Sequence, residues 1–291
     1  MNYHSPVLLN ETISKLSIVK GGVYVDATLG HGGHSIEILK QKGIVYGFDQ
    51  DYTNLETATK RIKSANLNEK FYPVNQNFIN INSFLKKHKI DKIDGLIADL
   101  GLSQNQQTSQ DRGFSFNDQT SLDMRLNPKK QKLTAEELIN TYSFDQLYQI
   151  FTKIGQELYS KPIIIKIIKE RQLSPIKTAK RLADIVRQFY QEKHIKTKID
   201  PSTKVFLSLR IFINNEYKNL EKLLKQSLSI VKPGATVCII TFHSGEDRLV
   251  KQFIQKNRSK IIPLKPIKPN YKEIKINPLS RSAILRSYKI V

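Results

Sequence analysis

The stretch VDATLGHGGHSIEIL, Val25 to Leu39, decides the fold class. An apolar run, Val23 to Asp26, meets three glycines, Gly30, Gly32 and Gly33, and then a helical pattern that begins near His34 or Ser35. Strand, glycine turn and helix in that order open a βαβ unit, and glycines at the turn let a ligand approach the backbone. Asp49 ends the next apolar run, GIVYGFD, nineteen positions after Gly30, where a carboxylate can accept hydrogen bonds from ribose hydroxyls. A tight turn with a surface aspartate would read the same way residue by residue. Loop, strand context and acid taken together favour a nucleoside site. The loop departs from G-x-G-x-x-G dinucleotide spacing, so it suits a ligand with little or no phosphate.

Working outward, SIEILKQKG, GIVYGFD, NLETATKRIKSANL, KFYPVNQNF and IDGLIADLG continue the alternation of helix and strand. Strands that read as unbroken apolar runs between helices predict a parallel sheet covered on both faces. From about Asn105 to Pro201 no convincing strand occurs. Thr134 with Glu137 and Ser143 with Gln146 have capping-box spacing, and Leu182, Ile185, Val186 and Phe189 recur with helical period, which predicts a helical insertion. A long amphipathic helix is expected through Ile211, Tyr217, Leu220, Leu224 and Leu228, followed by a buried strand in KPGATVCIITFHS. SAILRSYKIV, at the end of the sequence, is expected as an edge hairpin closing the sheet. The expected division is residues 1–106 with 207–291 as one discontinuous domain, and 107–206 as the inserted one. The fourth strand ends in IADLGLS, placing Asp99 and Ser103 at the carboxyl edge, where ligands of open α/β sheets sit. That geometry points to S-adenosyl-L-methionine, although a strand-end aspartate also caps turns.

Composition narrows the class. The 291 residues hold 39% hydrophobic residues, enough for a core, with no apolar run of membrane-spanning length and no leader pattern. A cytoplasmic protein with no membrane association is expected. The single cysteine, Cys238, excludes an internal disulfide and a cysteine zinc site, and no metal-spaced cluster is evident, so no metal is expected. Lysine and arginine number 47 against 26 acids, a net charge of +21 spread along the whole chain. That is the footprint of a polyanion partner, or of a lysine-rich composition from an AT-biased genome.

HSPVLLNE, VDATLGHGGHS, GFDQD, DGLIADLGLSQNQ, DRGFSFNDQTSLDMR, DPSTKVFLSLRIFINNE, FHSGEDRLVK and NPLSRSAILR occur in one order across nearly the whole chain. In them the sequence resembles the RsmH (MraW) family of ribosomal RNA small-subunit methyltransferases H. The resemblance implies an α/β class I S-adenosylmethionine-dependent methyltransferase, a Rossmann-like doubly wound sheet with an inserted helical domain that recognises RNA. It implies methylation of the exocyclic N4 amine of a cytidine in the decoding region of 16S ribosomal RNA, with the small ribosomal subunit as partner and the oligomeric state open. By matching position it implies cofactor contacts from Gly32, Gly33, His34, Asp49, Phe78, Asp99 and Gln106. Phe78 also suits an ordinary core aromatic. The chain departs from the family pattern at Gln104 and Asn105, where Ser-Pro is usual, at Gln156, Leu158 and Pro162, at Gly245, where leucine is usual, and at Leu279 and Ile284, where basic residues are usual.

Methylation at cytosine C5 needs a thiolate nucleophile, and Cys238 lies mid-strand in TVCIITF, where it reads as core. That leaves direct attack by an amine, aligned with an activated methyl and relieved of its proton. Asp99 is the candidate acceptor, with His243 and Ser244 as candidates across the pocket, though His243 also suits a structural role. Arg112, Phe114, Phe116 and Arg125 suit a flipped-out base and nearby phosphates, or a packed loop with an internal ion pair. Arg210, Arg248 and Arg281, with Lys251 and Arg286, are candidates for the RNA backbone. An RNA chaperone without catalysis would not need Asp99. A small-molecule N-methyltransferase would not need the charge or the insertion.

Overall fold

The computed structural model describes residues 6–103, 106 and 111–291. The chain divides into two units, residues 1–103 with 217–291, and residues 104–216.

In the first unit strands and helices alternate through α1 (Leu9–Leu16), β1 (Val23–Asp26), α2 (Gly33–Lys40), β2 (Ile44–Phe48), α3 (Tyr52–Ser64), β3 (Phe71–Val74), α4 (Ile81–Lys87) and β4 (Ile93–Asp99). The second unit holds α5 (Ala135–Thr141), α6 (Phe144–Gln149), a π-helical turn Ile150–Ile154, α7 (Ser160–Leu173), α8 (Ala179–Glu192) and α9 (Thr203–Ile213). The chain then returns through α10 (Glu216–Ile230), β5 (Val231–Thr241), α11 (Ser244–Lys256), β6 (Ile261–Pro263), α12 (Tyr271–Ile276) and β7 (Ile284–Ile290). No helix among the described residues is long and apolar enough to cross a membrane.

The seven strands form one sheet in the order β3-β2-β1-β4-β5-β7-β6. All neighbours are parallel except β7, which runs antiparallel to both β5 and β6. Successive residues feed opposite faces: Val25, Leu96, Val237 and Ile239 join one apolar cluster, while Tyr24, Ile97, Cys238 and Ile240 join another. This is why the strands read as unbroken apolar runs. Both edge strands carry a proline, Pro73 in β3 and Pro263 in β6, positions where a missing N–H costs no ladder bond.

Three expectations change. The C-terminal strand is not the edge, because the three-residue β6 pairs outside it, Ile261 opposite Ile290. So short a strand leaves no periodic signal. The expected long helix breaks into α9 and α10, because Asn215 adopts a left-handed conformation at φ 52, which asparagine tolerates better than most side chains. Finally, α2 begins at Gly33, one residue before His34.

The helical unit is built from its sequence signals. Thr134 accepts from the Glu137 N–H, and Ser143 and Gln146 form a full capping box. Leu182, Ile185, Val186 and Phe189 turn one face of α8 into a core shared with Leu138, Ile163 and Phe206.

Candidate active site at the carboxyl edge of the sheet

β1 delivers Asp26 to the carboxyl edge, where it is buried and accepts the Ser35 hydroxyl at 2.7 Å and the Thr28 N–H at 3.3 Å. Burial pushes its carboxyl up to about 6 despite those bonds. β2 delivers Asp49, whose carboxylate ties the glycine loop to α3. It accepts the N–H of Gly30 at 3.0 Å, the N–H of Asp51 at 2.8 Å and the Asn54 amide at 3.2 Å. Burial, with the Asp51 charge adding to it, pushes Asp49 up to about 7.

The three glycines serve different needs. Gly30 adopts φ +50, and a Cβ there would meet nothing nearer than the Thr28 carbonyl at 4.0 Å. A Cβ on Gly32 would lie 3.2 Å from that of Ala58 in α3, and one on Gly33 would lie 2.1 Å from Pro6 Cγ. Gly33 is therefore small because Pro6 packs on it, Gly32 combines a left-handed φ of +74 with close packing on Ala58, and the open side of the loop is at Gly30. His34 is buried in α2, its ring hydrogen-bonded to the Val7 backbone, and burial lowers its pKa to about 4. Its Nε2 has no hydrogen-bond partner among the described residues.

Phe78 is half-buried at the start of a 3₁₀ turn after β3 and packs on the sheet core. That turn is fastened to the end of β2: Asn77 donates to the Gln50 side chain at 2.9 Å and Asn75 to the Asp49 carbonyl at 3.1 Å.

β4 delivers Asp99. Its N–H donates to the Thr28 hydroxyl at 2.6 Å, which locks the end of β4 to the loop after β1. Its Oδ1 is buried and has no hydrogen-bond partner among the described residues. Burial pushes the Asp99 carboxyl up to about 7; the Gly101 N–H opposes that rise, and the charges acting on it, Asp26 and Glu246, are both negative. A buried carboxylate oxygen without a partner, on an acid whose charged neighbours are both negative, can accept a cation. Ser103 donates to the Asn54 side chain at 2.9 Å.

His243 caps α11, its Nδ1 facing the Glu246 N–H at 3.4 Å and its Nε2 lying 3.1 Å from Glu246 Oε1. The buried Glu246 also accepts the Phe242 N–H at 2.8 Å. Ser244 is exposed at the first turn of that helix. A Cβ on Gly245 would lie 1.8 Å from the Tyr217 hydroxyl, so Tyr217 occupies the space a larger residue would need.

In the helical unit the aromatic and arginine loop is self-contained. Arg125 makes a bidentate pair with Asp123 at 2.7 Å and donates to the Gln131 carbonyl at 2.8 Å. Arg112 donates to the carbonyls of Arg125 and Leu126, and its guanidinium lies 5.4 Å from the Phe114 ring centre. Phe116 meets Phe206 edge-on at 4.8 Å, and Arg210 pairs with Glu216 at 2.9 Å through both nitrogens. Gln106 is buried; Gln104, Asn105 and residues 107–110 lie outside the described residues, as do His4 and Ser5. Arg248 and Arg281 are exposed, whereas Arg286 is paired with Asp247 at 2.6 Å.

The MraW methylase family model matches residues 1–291. The chain belongs to the MraW methylase family. Curated relatives of this MraW chain include the ribosomal RNA small subunit methyltransferases H of Halothermothrix orenii and Carboxydothermus hydrogenoformans. The first is 38% identical over 305 residues, 97% of each chain. The second is 40% identical over 304 residues, 98% of this chain and 96% of that one. Among solved structures, a candidate rRNA methylase from Clostridium thermocellum aligns over 100% of both chains at TM-score 0.50 and 11% identity. A candidate methyltransferase from Streptococcus mutans, solved with SAH, aligns over 99% of this chain and 100% of that one at TM-score 0.50 and 12% identity. With the strand order above, these likenesses make the MraW fold a class I, Rossmann-like methyltransferase fold.

Sequence reading had named Asp49 and Asp99 at this edge but missed Asp26, Ser35, Asn54 and Glu246. Asp26 carried the same signal as Asp99, an acid closing an apolar strand, inside the very stretch that decided the fold. Glu246 follows the cap His243 at capping-box spacing.

Proposed function

We propose that this MraW methylase transfers the methyl group of S-adenosyl-L-methionine to the exocyclic N4 amine of a cytidine in the decoding region of 16S ribosomal RNA, acting in the cytoplasm on the small ribosomal subunit. The observation that carries the cofactor assignment is the acidic carboxyl edge. A protein of net charge +21 gathers Asp26, Asp49, Asp99 and Glu246 there, and leaves Asp99 Oδ1 buried without a partner. A ligand bearing a sulfonium and an ammonium fits that edge; a dinucleotide with its phosphates does not. When bound, it supplies an activated methyl group.

The residues divide the remaining work. Asp49, already accepting three hydrogen bonds, has about one lone-pair site left, on Oδ1, for a ribose hydroxyl. Gly32, Gly33 and His34 form the start of α2, and Phe78 offers an aromatic face beside the end of β2 for the adenine. Gln106 is assigned to the cofactor by family position. Asp99, ionised beside the bound cation, is the candidate to accept the amine proton as N4 gains a bond. His243 and Ser244 stand at the start of α11 as further candidates. Arg112, Phe114, Phe116, Arg125 and Arg210 shape the helical unit that receives the RNA, and exposed Arg248 and Arg281 reach its backbone. The unreactive thiol supports N4 over C5: burial pushes Cys238 up to about 12, so no thiolate is available at neutral pH.

The test is incubation of small subunits and of naked 16S RNA with labelled cofactor, followed by nucleoside mass spectrometry. N4-methylcytidine is the expected product. A C5-methylated product, or transfer to a small molecule with RNA unmodified, would overturn the assignment.

A further inference from the structure

The first unit also presents a basic, aromatic rim that the reaction itself does not use. Between β6 and β7 the chain exposes Lys265, Lys268, Lys272, Lys275 and Arg281, and none of these five makes an ion pair among the described residues. It holds one acid, Glu273, and that acid is turned inward: its Oε1 accepts the Leu8 N–H at 2.6 Å. Tyr271, at the start of α12, is 80% exposed, far more than a tyrosine that serves a core. Asn270 fixes the helix by accepting the Glu273 N–H at 2.9 Å.

The segment is fastened at the carboxyl edge in its middle and at its C-terminal end. In the middle, Glu273 holds Leu8, which follows directly on Pro6 and Val7, the residues packed on Gly33 and bonded to His34. At the C-terminal end Ala283 leads into β7, whose first residue, Ile284, is paired with Thr241 at the carboxyl end of β5. The rim therefore borders the edge where the acids converge.

We infer that residues 264–282 are a docking rim for single-stranded RNA flanking the target nucleotide, with Tyr271 stacking on a base and Lys272 and Lys275 holding phosphates. The chemistry matches: single strands are held by cations along the backbone and aromatic faces against unstacked bases. Unpaired surface lysines alone would serve any polyanion, and the exposed tyrosine beside them selects one that carries bases. This rests on the reading of the chain as an RNA methylase.

The test compares Tyr271→Ala, Tyr271→Phe and the double variant Lys272→Gln/Lys275→Gln with the parent. Binding of a 16S RNA fragment is measured against salt, and cofactor affinity by calorimetry. Tyr271→Ala should weaken RNA binding about tenfold and Tyr271→Phe should restore it. The lysine pair should lower the salt slope by about 0.7 for each lost phosphate contact. Cofactor affinity should stay at the parental value in all three. Parental RNA affinity and slope in both Tyr271→Ala and the lysine variant would overturn the rim. So would loss in the lysine variant with none in Tyr271→Ala, which marks a general polyanion surface. A parent that binds no RNA at all would instead overturn the function, a result separate from either.

Discussion

Cofactor affinity should depend on pH through Asp99, and the size of the effect follows from its surroundings. Burial and the negative charges of Asp26 and Glu246 raise the free carboxyl to about 7, so near pH 6 it is largely protonated. A cationic ligand binds the ionised form, so its apparent affinity falls by the fraction of Asp99 that must first lose a proton. Between pH 8 and pH 6 that fraction changes about tenfold for one acid of pKa near 7, or about 1.4 kcal/mol. Stability should move the opposite way in the free protein. A carboxyl raised above its unfolded value contributes stability that is full below about pH 4 and is lost as pH rises through about 7. The melting-temperature gain from saturating cofactor should therefore grow across that same window. Calorimetry at pH 6 in two buffers of different ionisation enthalpy should register release of about 0.9 proton from Asp99 per cofactor bound. Asp99→Asn should flatten most of the dependence. Equal affinity at pH 6 and pH 8 with no proton release would refute the cation-site reasoning.

Other perturbations separate the roles of neighbouring residues. Asp49→Ala should weaken cofactor binding by roughly 1.5 to 3 kcal/mol, the range for hydrogen bonds to a charged group, read by calorimetry on protein shown to be folded by circular dichroism. An unchanged affinity would remove Asp49 from the site. Cys238→Ala should keep full methyl transfer, because the thiol is buried in β5 and far from ionising, while the unfolding free energy from urea titration falls by about 1 kcal/mol for the small cavity. A folded variant without activity would restore C5 chemistry. Gly245→Leu should destabilise by about 1 to 3 kcal/mol through its clash with the Tyr217 hydroxyl, and Tyr217→Ala should recover most of that loss. Additive losses in a double-mutant cycle would show that the two residues do not share the space.

Much of the sheet was legible because each of its long buried strands is an apolar run closed by a turn. Asp49 and Asp99 stood out for a related reason: each closes a buried strand at the carboxyl edge, a place where an aspartate serves either a turn or a ligand. The hidden features depend on contacts between distant segments. Nothing in VDATLGHGGHS says that Gly33 is small because Pro6 rests on it, or that Gly32 leans on Ala58, since both partners come from elsewhere in the chain. The strand β6 was invisible because three residues, one of them proline, cannot display a period. The break at Asn215 was invisible because asparagine is neutral in a helical pattern until its φ is known. For the loop from Arg112 to Arg125 composition allowed a base grip or a packed loop with an internal ion pair; its arginines hold carbonyls and Asp123, and Asp118 ties it from within by accepting the N–H groups of Gly113, Thr120 and Ser121.

The departures from the family pattern can be weighed in the same physical terms. Gly245, where the resemblance has leucine, leaves a space beside the start of α11, and the Tyr217 hydroxyl fills it from α10. The tyrosine ring lies 5.9 Å from that of His243, so the cap of α11 has a packed aromatic neighbour. The loss of basic character at Leu279 and Ile284 follows a similar logic in charge. Ile284 is half-buried at the start of β7, where a cation would need a partner, while exposed Lys272 and Lys275 stand on α12 in the same segment. A polyanion is held by the sum of charges it meets rather than by any one position. In the proposed RNA-binding role, a lysine elsewhere in the segment could therefore stand in where no bidentate geometry is demanded. In its proposed role Asp99 has no such freedom, since that role rests on one buried oxygen at the end of one strand.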